Sequence, residues 1–335
     1  MKKKVFLSAV LLCFIATIGI RAGGEPADDC TVSGPYTHKN MSIYLVHGKS
    51  TAGADKYLTL EEAMERKKIT VHETENVNQL SVTNSSNVNI FIMSGDIVKG
   101  GKQDRVMQYN YIVPPGIKRM PVQSFCVESG RWEKRGGEND ESFSSSREMI
   151  ASKDLKMSVK KDKSQSQVWS KVAEMQDNLE KNLGAPVKGR SESSLQLTLE
   201  NGKVREARQE YAKAFEKIMK DRKDVVGYSC VINGKISSAE VFSSSVLFGK
   251  LWPKLLKSSI VEAVAASGTG AKHTPRPAAD VKQFIVDSEK AGTVAAQDVN
   301  RRTKIVEREA DDRLYYETRD AANEGRWINK SYLAK

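Results

Sequence analysis

Apolar positions along this chain change period several times, and those changes mark out its elements. Met41 to His47 (MSIYLVH) is a short apolar run and predicts a strand. Ile69 to Glu73 and Leu80 to Thr83 alternate apolar with polar residues, the period of a strand with one buried face. Val88 to Met93 is more continuous, as in a central strand covered on both sides. Val106 to Val113 returns as a strand that Pro114-Pro115-Gly116 ends, and Pro121 to Val127 is another. Between them, Thr59-Leu60-Glu61-Glu62 has the spacing of a capping box, so a short helix should run to about Lys67.

The second half reads differently. Val168, Val172, Met175, Leu179 and Leu183 recur at helical spacing within Ser166 to Leu183, and Gly184 closes the segment. Lys203 to Lys220 repeats the pattern with Val204, Ala207, Tyr211, Ala214, Phe215 and Ile218 on one face. Asn233-Gly234 divides Val225 to Val241 into two strand-like halves, the signature of a type I′ hairpin. Ser243 to Ala266 then predicts a long helix with Pro253 as a first-turn residue or a kink. Glu133 to Ser146 is polar and Gly/Ser-rich, a surface loop; Val281 to Lys290 fits a helix, and Arg308 to Asp320 and Trp327 to Leu333 fit late strands.

The expected class is α+β: a largely antiparallel, β-rich N-terminal half, a helical middle, then a β-hairpin plus a long helix. The expected organisation is a loose segment over 25–40, one domain over 41–266, a linker over 267–279, and a C-terminal extension over 280–335 that packs on the same domain.

Composition narrows the functional classes. With 335 residues, 39% hydrophobic and 28% charged, the chain can bury a sizeable core. Residues 1–24 have the grammar of a secretory signal: Lys2, Lys3 and Lys4, an apolar run from Val5 to Ile20, then Ala22-Gly23-Gly24. Export to the periplasm or medium is the expectation, with no membrane attachment after cleavage. Loss of Lys2, Lys3, Lys4 and Arg21, with no acidic residue, takes the formal charge from +11 down by four. The remaining basic residues are scattered, which argues against a nucleic-acid partner and leaves anionic small molecules as the partner class. Cys30, Cys126 and Cys230 form no disulfide framework; buried thiols or one Cys126–Cys230 bridge both fit.

Chemistry concentrates between Asn89 and Trp132. The turn Gly95-Asp96-Ile97-Val98-Lys99-Gly100-Gly101-Lys102-Gln103-Asp104-Arg105 has the glycine spacing of a P-loop, but Gly101 intervenes before Lys102 and Gln103 replaces the magnesium-binding hydroxyl. What survives is the principle that successive glycines let amides converge on an anion, with cations nearby. The candidate ligand-binding residues are Gly95, Gly100, Gly101, Lys102, Gln103, Arg105, Arg131 and Trp132. A tight connection with solvated charges fits the same residues. Asp96, Asp104 and Glu128 are the carboxylates a hydrolase would use. Cys126 and Glu128, two apart on a strand, could share a pocket, yet no histidine has motif spacing to them. No metal-ligand motif appears, and no motif calls for a cofactor.

The strings SGDIVKGGKQDR, VPPG and PVQSFCVESGRW resemble the signature of the ARG-and-rhodanese-phosphatase-superfamily-associated protein domain, ARG standing for ADP-ribosylglycohydrolase. YLTLEEAMERKKI, VINGKISSAEVF and LFGKLWPKLLKS are similar to it as well. The likeness covers about residues 40 to 265. It implies association with proteins acting on NAD-derived or ADP-ribose compounds and carries over no catalytic residues. The expected function is an exported binding module for an anionic small molecule or modified partner, nucleotide-like or ADP-ribose-like. The alternatives are a carboxylate hydrolase on ADP-ribose-like linkages and a structural envelope protein.

Overall fold

A computed structural model describes residues 30–51, 56–74, 76–130, 143–269 and 273–335; the expected signal segment, Arg131, Trp132 and most of the Glu133–Ser146 loop lie outside them. The chain opens with β1 (Thr31–His38) and β2 (Met41–His47), then β3 (Leu58–Thr59), α1 (Leu60–Glu65), β4 (Ile69–His72), β5 (Gln79–Asn84) and β6 (Ile90–Ile92). Short strands follow: β7 (Ile97–Gly100), β8 (Arg105–Met107), β9 (Tyr111–Val113), β10 (Met120–Cys126) and β11 (Phe143–Ser145). The helical middle comprises α2 (Lys153–Met157), a π-helical turn (Ser158–Asp162), α3 (Gln165–Leu183), α4 (Leu195–Glu200) and α5 (Gly202–Phe215). The hairpin of β12 (Val225–Ile232) and β13 (Lys235–Phe242) leads into α6 (Ser245–Ala265). The chain continues through α7 (Ala278–Lys290) to β14 (Thr293–Asp298), β15 (Thr303–Ala310), β16 (Arg313–Asp320) and β17 (Arg326–Ala334).

These elements form an α+β fold with three sheets. The largest runs β1-β2-β12-β13-β17-β16-β15-β14, the second β11-β7-β8-β10-β5-β4, and the third β3-β6-β9. Every pairing is antiparallel except β3 with β6. The β-rich N-terminal half is therefore only part of the β structure: the eight-stranded sheet combines both ends of the chain.

Burial explains the sequence patterns. In β2, Met41, Ile43 and Leu45 join a core with α6, while Tyr44 and Val46 join one with α7. A strand covered on both faces has no polar side to show, hence MSIYLV, in which the one short polar residue, Ser42, is itself buried and hydrogen-bonded. Burying an aliphatic or aromatic side chain of this size is worth about 1.5–3 kcal/mol. At α1 the capping box forms as its spacing predicts, Thr59 Oγ1 accepting from the Glu62 amide and the Glu62 carboxylate from the Thr59 amide.

Several local expectations are corrected. The segment before Met41 is not loose throughout, because Thr31–His38 pairs with β2 as an edge strand. Val106 to Val113 is not one strand: β8 and β9 belong to different sheets, and Gln108 between them turns back to donate to the Val159 carbonyl. Of the two readings of Pro253 the first-turn one is overturned, because it stands in the interior of α6, on the exposed side. The 267–279 segment is tied down midway by His273, whose ring lies 2.8 Å from Ser42 Oγ and accepts the Gly234 amide at 3.1 Å.

Candidate functional site

The glycine-rich stretch divides into two turns that face different ways. In the first, Gly95 adopts φ +89° and packs so closely that a Cβ would lie 2.9 Å from Lys156 Cε and 3.0 Å from Ile150 Cγ2. The Asp96 side chain accepts the Met93 amide at 2.8 Å and the Lys254 ammonium of α6 at 2.7 Å. Both charged partners are buried. Gly95 and Asp96 thus belong to the seam between β6 and α6, away from the second turn's partners.

The second turn joins β7 to β8. Gly100 and Gly101 take φ +115° and +56°, which L side chains adopt only with strain. The Asp104 carboxylate accepts the Gly100 amide at 3.0 Å and so closes the turn. A Cβ on Gly101 would lie 2.5 Å from the Phe143 ring and 2.6 Å from Glu73 Oε1. That carboxylate oxygen accepts the Lys102 amide at 3.0 Å, while Glu73 Oε2 stands 3.7 Å from Arg105 Nη2. The turn therefore receives an anion, and the anion is Glu73 of the same chain.

Beneath the turn the second signature string closes in. Arg105 pairs with Cys126 across β8 and β10, Val127 donates its amide to the Asp104 carbonyl at 3.1 Å, and Gln103 Nε2 donates to the Glu128 carbonyl at 3.2 Å. Gln103, Asp104, Arg105 and Glu128 are all buried. Arg105 Nη1 donates to the Gln103 carbonyl at 2.9 Å, but its Nε is buried with no acceptor among the described residues. A buried guanidinium donor without an acceptor is costly. Lys102 alone of the turn's charged residues projects into solvent.

The structure thus brings together Gly100, Gly101, Lys102, Gln103, Asp104, Arg105, Cys126 and Glu128, and leaves Gly95 and Asp96 outside. Arg131 and Trp132 lie beyond the described residues. Cys126 is buried, its backbone held reciprocally by the Gln165 side-chain amide at 2.9 and 2.8 Å. The histidines hydrogen-bond elsewhere, His47 to Ser33, His72 to Thr83 and His273 to Ser42. No disulfide joins Cys126 to Cys230. Glu73 was not legible as a site residue: it ends an alternating strand and looks like any solvated acid.

A second buried polar group sits between the large sheet and α2. Lys156 Nζ donates to Glu240 Oε1 at 2.8 Å, and Glu240 Oε2 accepts from Ser331 at 2.5 Å and Asn329 at 3.1 Å. Asn110 Nδ2 donates to Asn329 and Thr318 at 2.8 and 2.7 Å. Burial opposes the Lys156 charge, yet Glu240, Tyr316 and Glu262 together outweigh it and hold the ammonium above its usual range. Among the described residues no group of His, Cys, Asp and Glu could hold a metal ion.

An α+β domain in which a glycine turn and a Cys-Val-Glu strand end share one buried polar cluster defines the class. The chain belongs to the ARG and Rhodanese-Phosphatase-superfamily-associated Protein domain family, whose profile matches residues 29–333. The match reaches well past 41–266 and takes in the C-terminal strands. No curated protein and no solved structure matches the chain significantly.

Proposed function

We propose that the protein is a binding module for an anionic small molecule, received at the Gly100–Arg105 turn in place of the Glu73 carboxylate. The carrying observation is the position of Glu73, one oxygen on the Lys102 amide at 3.0 Å and the other 3.7 Å from Arg105. A carboxylate there shows what geometry the turn accepts; a phosphate oxygen has the same charge and acceptor chemistry. Glu73 reaches the turn from the end of β4, so it can leave without unfolding β7 or β8. The family description names association with ARG and the rhodanese-phosphatase superfamily; with ARG read as ADP-ribosylglycohydrolase, it favours ADP-ribose-like or nucleotide-like ligands. The carboxylate-hydrolase reading draws less support, since Asp96 is held by Lys254 and Asp104 closes its own turn.

Thermal-shift measurements with ADP-ribose, nucleoside diphosphates, sugar phosphates and pyrophosphate test this reading. At least one should raise the melting temperature of the wild type and raise it less in Lys102→Ala and Arg105→Lys. Equal shifts in all three proteins, or none with any anion, would count against it. Export is a separate proposal, supported by the basic-then-apolar Met1–Gly24 stretch; N-terminal sequencing of protein secreted by the native host should then begin at or near Glu25.

A further inference from the structure

At the edge of the large sheet, far from any motif, three side chains stand in a hydrogen-bonded row. Thr31 of β1 pairs with His47 of β2, and Ser33 with Leu45, so Ser33 and His47 are diagonal neighbours on one face. The register breaks between Ser33 and Tyr36, where Gly34 takes φ +117° and a Cβ would meet the Ile43 carbonyl at 2.9 Å. Such a bulge re-aims the side chain beside it. At the other end of β2, the Gly48 amide donates to the Asp224 carbonyl at 2.9 Å and fixes Asp224 beside the ring.

The result is Ser33 Oγ 2.7 Å from His47 Nε2, and His47 Nδ1 2.9 Å from Asp224 Oδ2. The carboxylate can only accept, so Nδ1 carries the proton facing it. With the ring neutral, Nε2 is left as an acceptor for the Ser33 hydroxyl. That order of protons makes histidine a general base toward serine. Hydrogen bonding to His47 holds the Asp224 carboxyl below its usual range. His47 and Asp224 border a cleft of about 540 Å³ that Lys49, Val226, Ile285, Trp327 and Tyr332 also line; Ser33, half-exposed, lies outside that lining and meets the cleft through its hydrogen bond to His47. Its volume suits a small molecule, and its apolar wall suits an acyl or aromatic group.

We propose that Ser33, His47 and Asp224 form a second site, independent of the glycine turn, that hydrolyses small carboxylic esters. Ser33 Oγ attacks the ester carbonyl carbon while its proton passes to Nε2. The carbon–oxygen bond to the alcohol then breaks, and the alkoxide leaves with that proton. Water repeats the sequence on the acyl-serine, releasing the acid and restoring the hydroxyl. Asp224 steadies the imidazolium.

The test uses the full chain with a fluorophosphonate probe and p-nitrophenyl butyrate. The expected result is one adduct, mapped to Ser33, and ester hydrolysis that falls at least about 100-fold in Ser33→Ala and His47→Gln. Asp224 is exposed, so Asp224→Asn should cost less, about tenfold. Cys30 lines the same cleft, and Cys30→Ser should retain both signals. Ser33→Ala removes one half-exposed hydroxyl from an edge strand, so its thermal melt should match the wild type. An adduct away from Ser33, unchanged hydrolysis in Ser33→Ala, or loss of both signals in Cys30→Ser would overturn the proposal.

Discussion

Two buried polar groups, one around Lys156 and Glu240 and one around Arg105, are built to different ends. Around Lys156 and Glu240, donors and acceptors come from α2, β13, β17 and the β9 entry, and they interlock at 2.5–3.1 Å. Around Arg105 the fit is looser: a long contact to Glu73, a buried Nε without an acceptor among the described residues, and an exposed Lys102. A closed network of buried charges holds elements in register and has no vacancy for a ligand. A cluster closed by one partly exposed carboxylate on a loop can exchange that carboxylate for another anion. The comparison assigns structure to the first group and recognition to the second.

Breaking the first group should have the largest effect. Lys156→Met leaves Glu240 buried without its cation and should destabilise the protein by about 3–5 kcal/mol in denaturant titration. Adding Glu240→Gln should recover part of that loss, because the two residues act as a unit. If Lys156→Met costs no more than a surface substitution, the network does not hold the sheet to α2.

Gly101→Ala comes next. Its Cβ would crowd the Phe143 ring and the Glu73 carboxylate at a φ of +56°, so a loss of about 1–3 kcal/mol is expected. Any anion-dependent thermal shift should change with it. Glu73→Gln should be milder: the amide keeps an acceptor for the Lys102 N–H, and stability should move by about 1 kcal/mol or less. A large loss there would place Glu73 with the structural group instead.

The smallest expected effect concerns His273, which lies outside both groups and calibrates them. Its Nδ1 accepts the Gly234 amide, so the ring must be neutral, and burial pushes its pKa below the usual 6.5. A group depressed in the fold contributes stability above its unfolded pKa and loses it as pH falls through the folded value. Hydrogen exchange at Gly234 should therefore quicken as pH drops below about 6.5, after correction for the intrinsic rate, and His273→Gln should flatten that dependence.

The sequence showed its local chemistry better than its long-range pairing. The Thr59–Glu62 capping box and the Asn233-Gly234 hairpin depend on residues within a few positions, and both were readable. The joining of β1 and β2 to the C-terminal strands was less so, because alternation shows a buried face and not the partner that buries it. At the site, Gly100 to Arg105 and Cys126 to Glu128 were marked by unusual residue combinations. Their convergence depends on the β8–β10 pairing. Glu73, Lys156 and Glu240 carried no local signal: an acid that caps a distant turn has the same neighbours in sequence as one facing solvent. Asp96 misled for the converse reason, since adjacency to the glycine turn hid its pairing with Lys254 on α6.

The most direct measurement is a calorimetric titration of wild type and Glu73→Gln with ADP-ribose and with pyrophosphate. If Glu73 holds the place of a ligand anion, removing its charge should tighten binding of at least one of them by about tenfold, equivalent to about 1.4 kcal/mol. Binding that weakens in Glu73→Gln, or that is identical in the two proteins, would contradict an anion site at this turn.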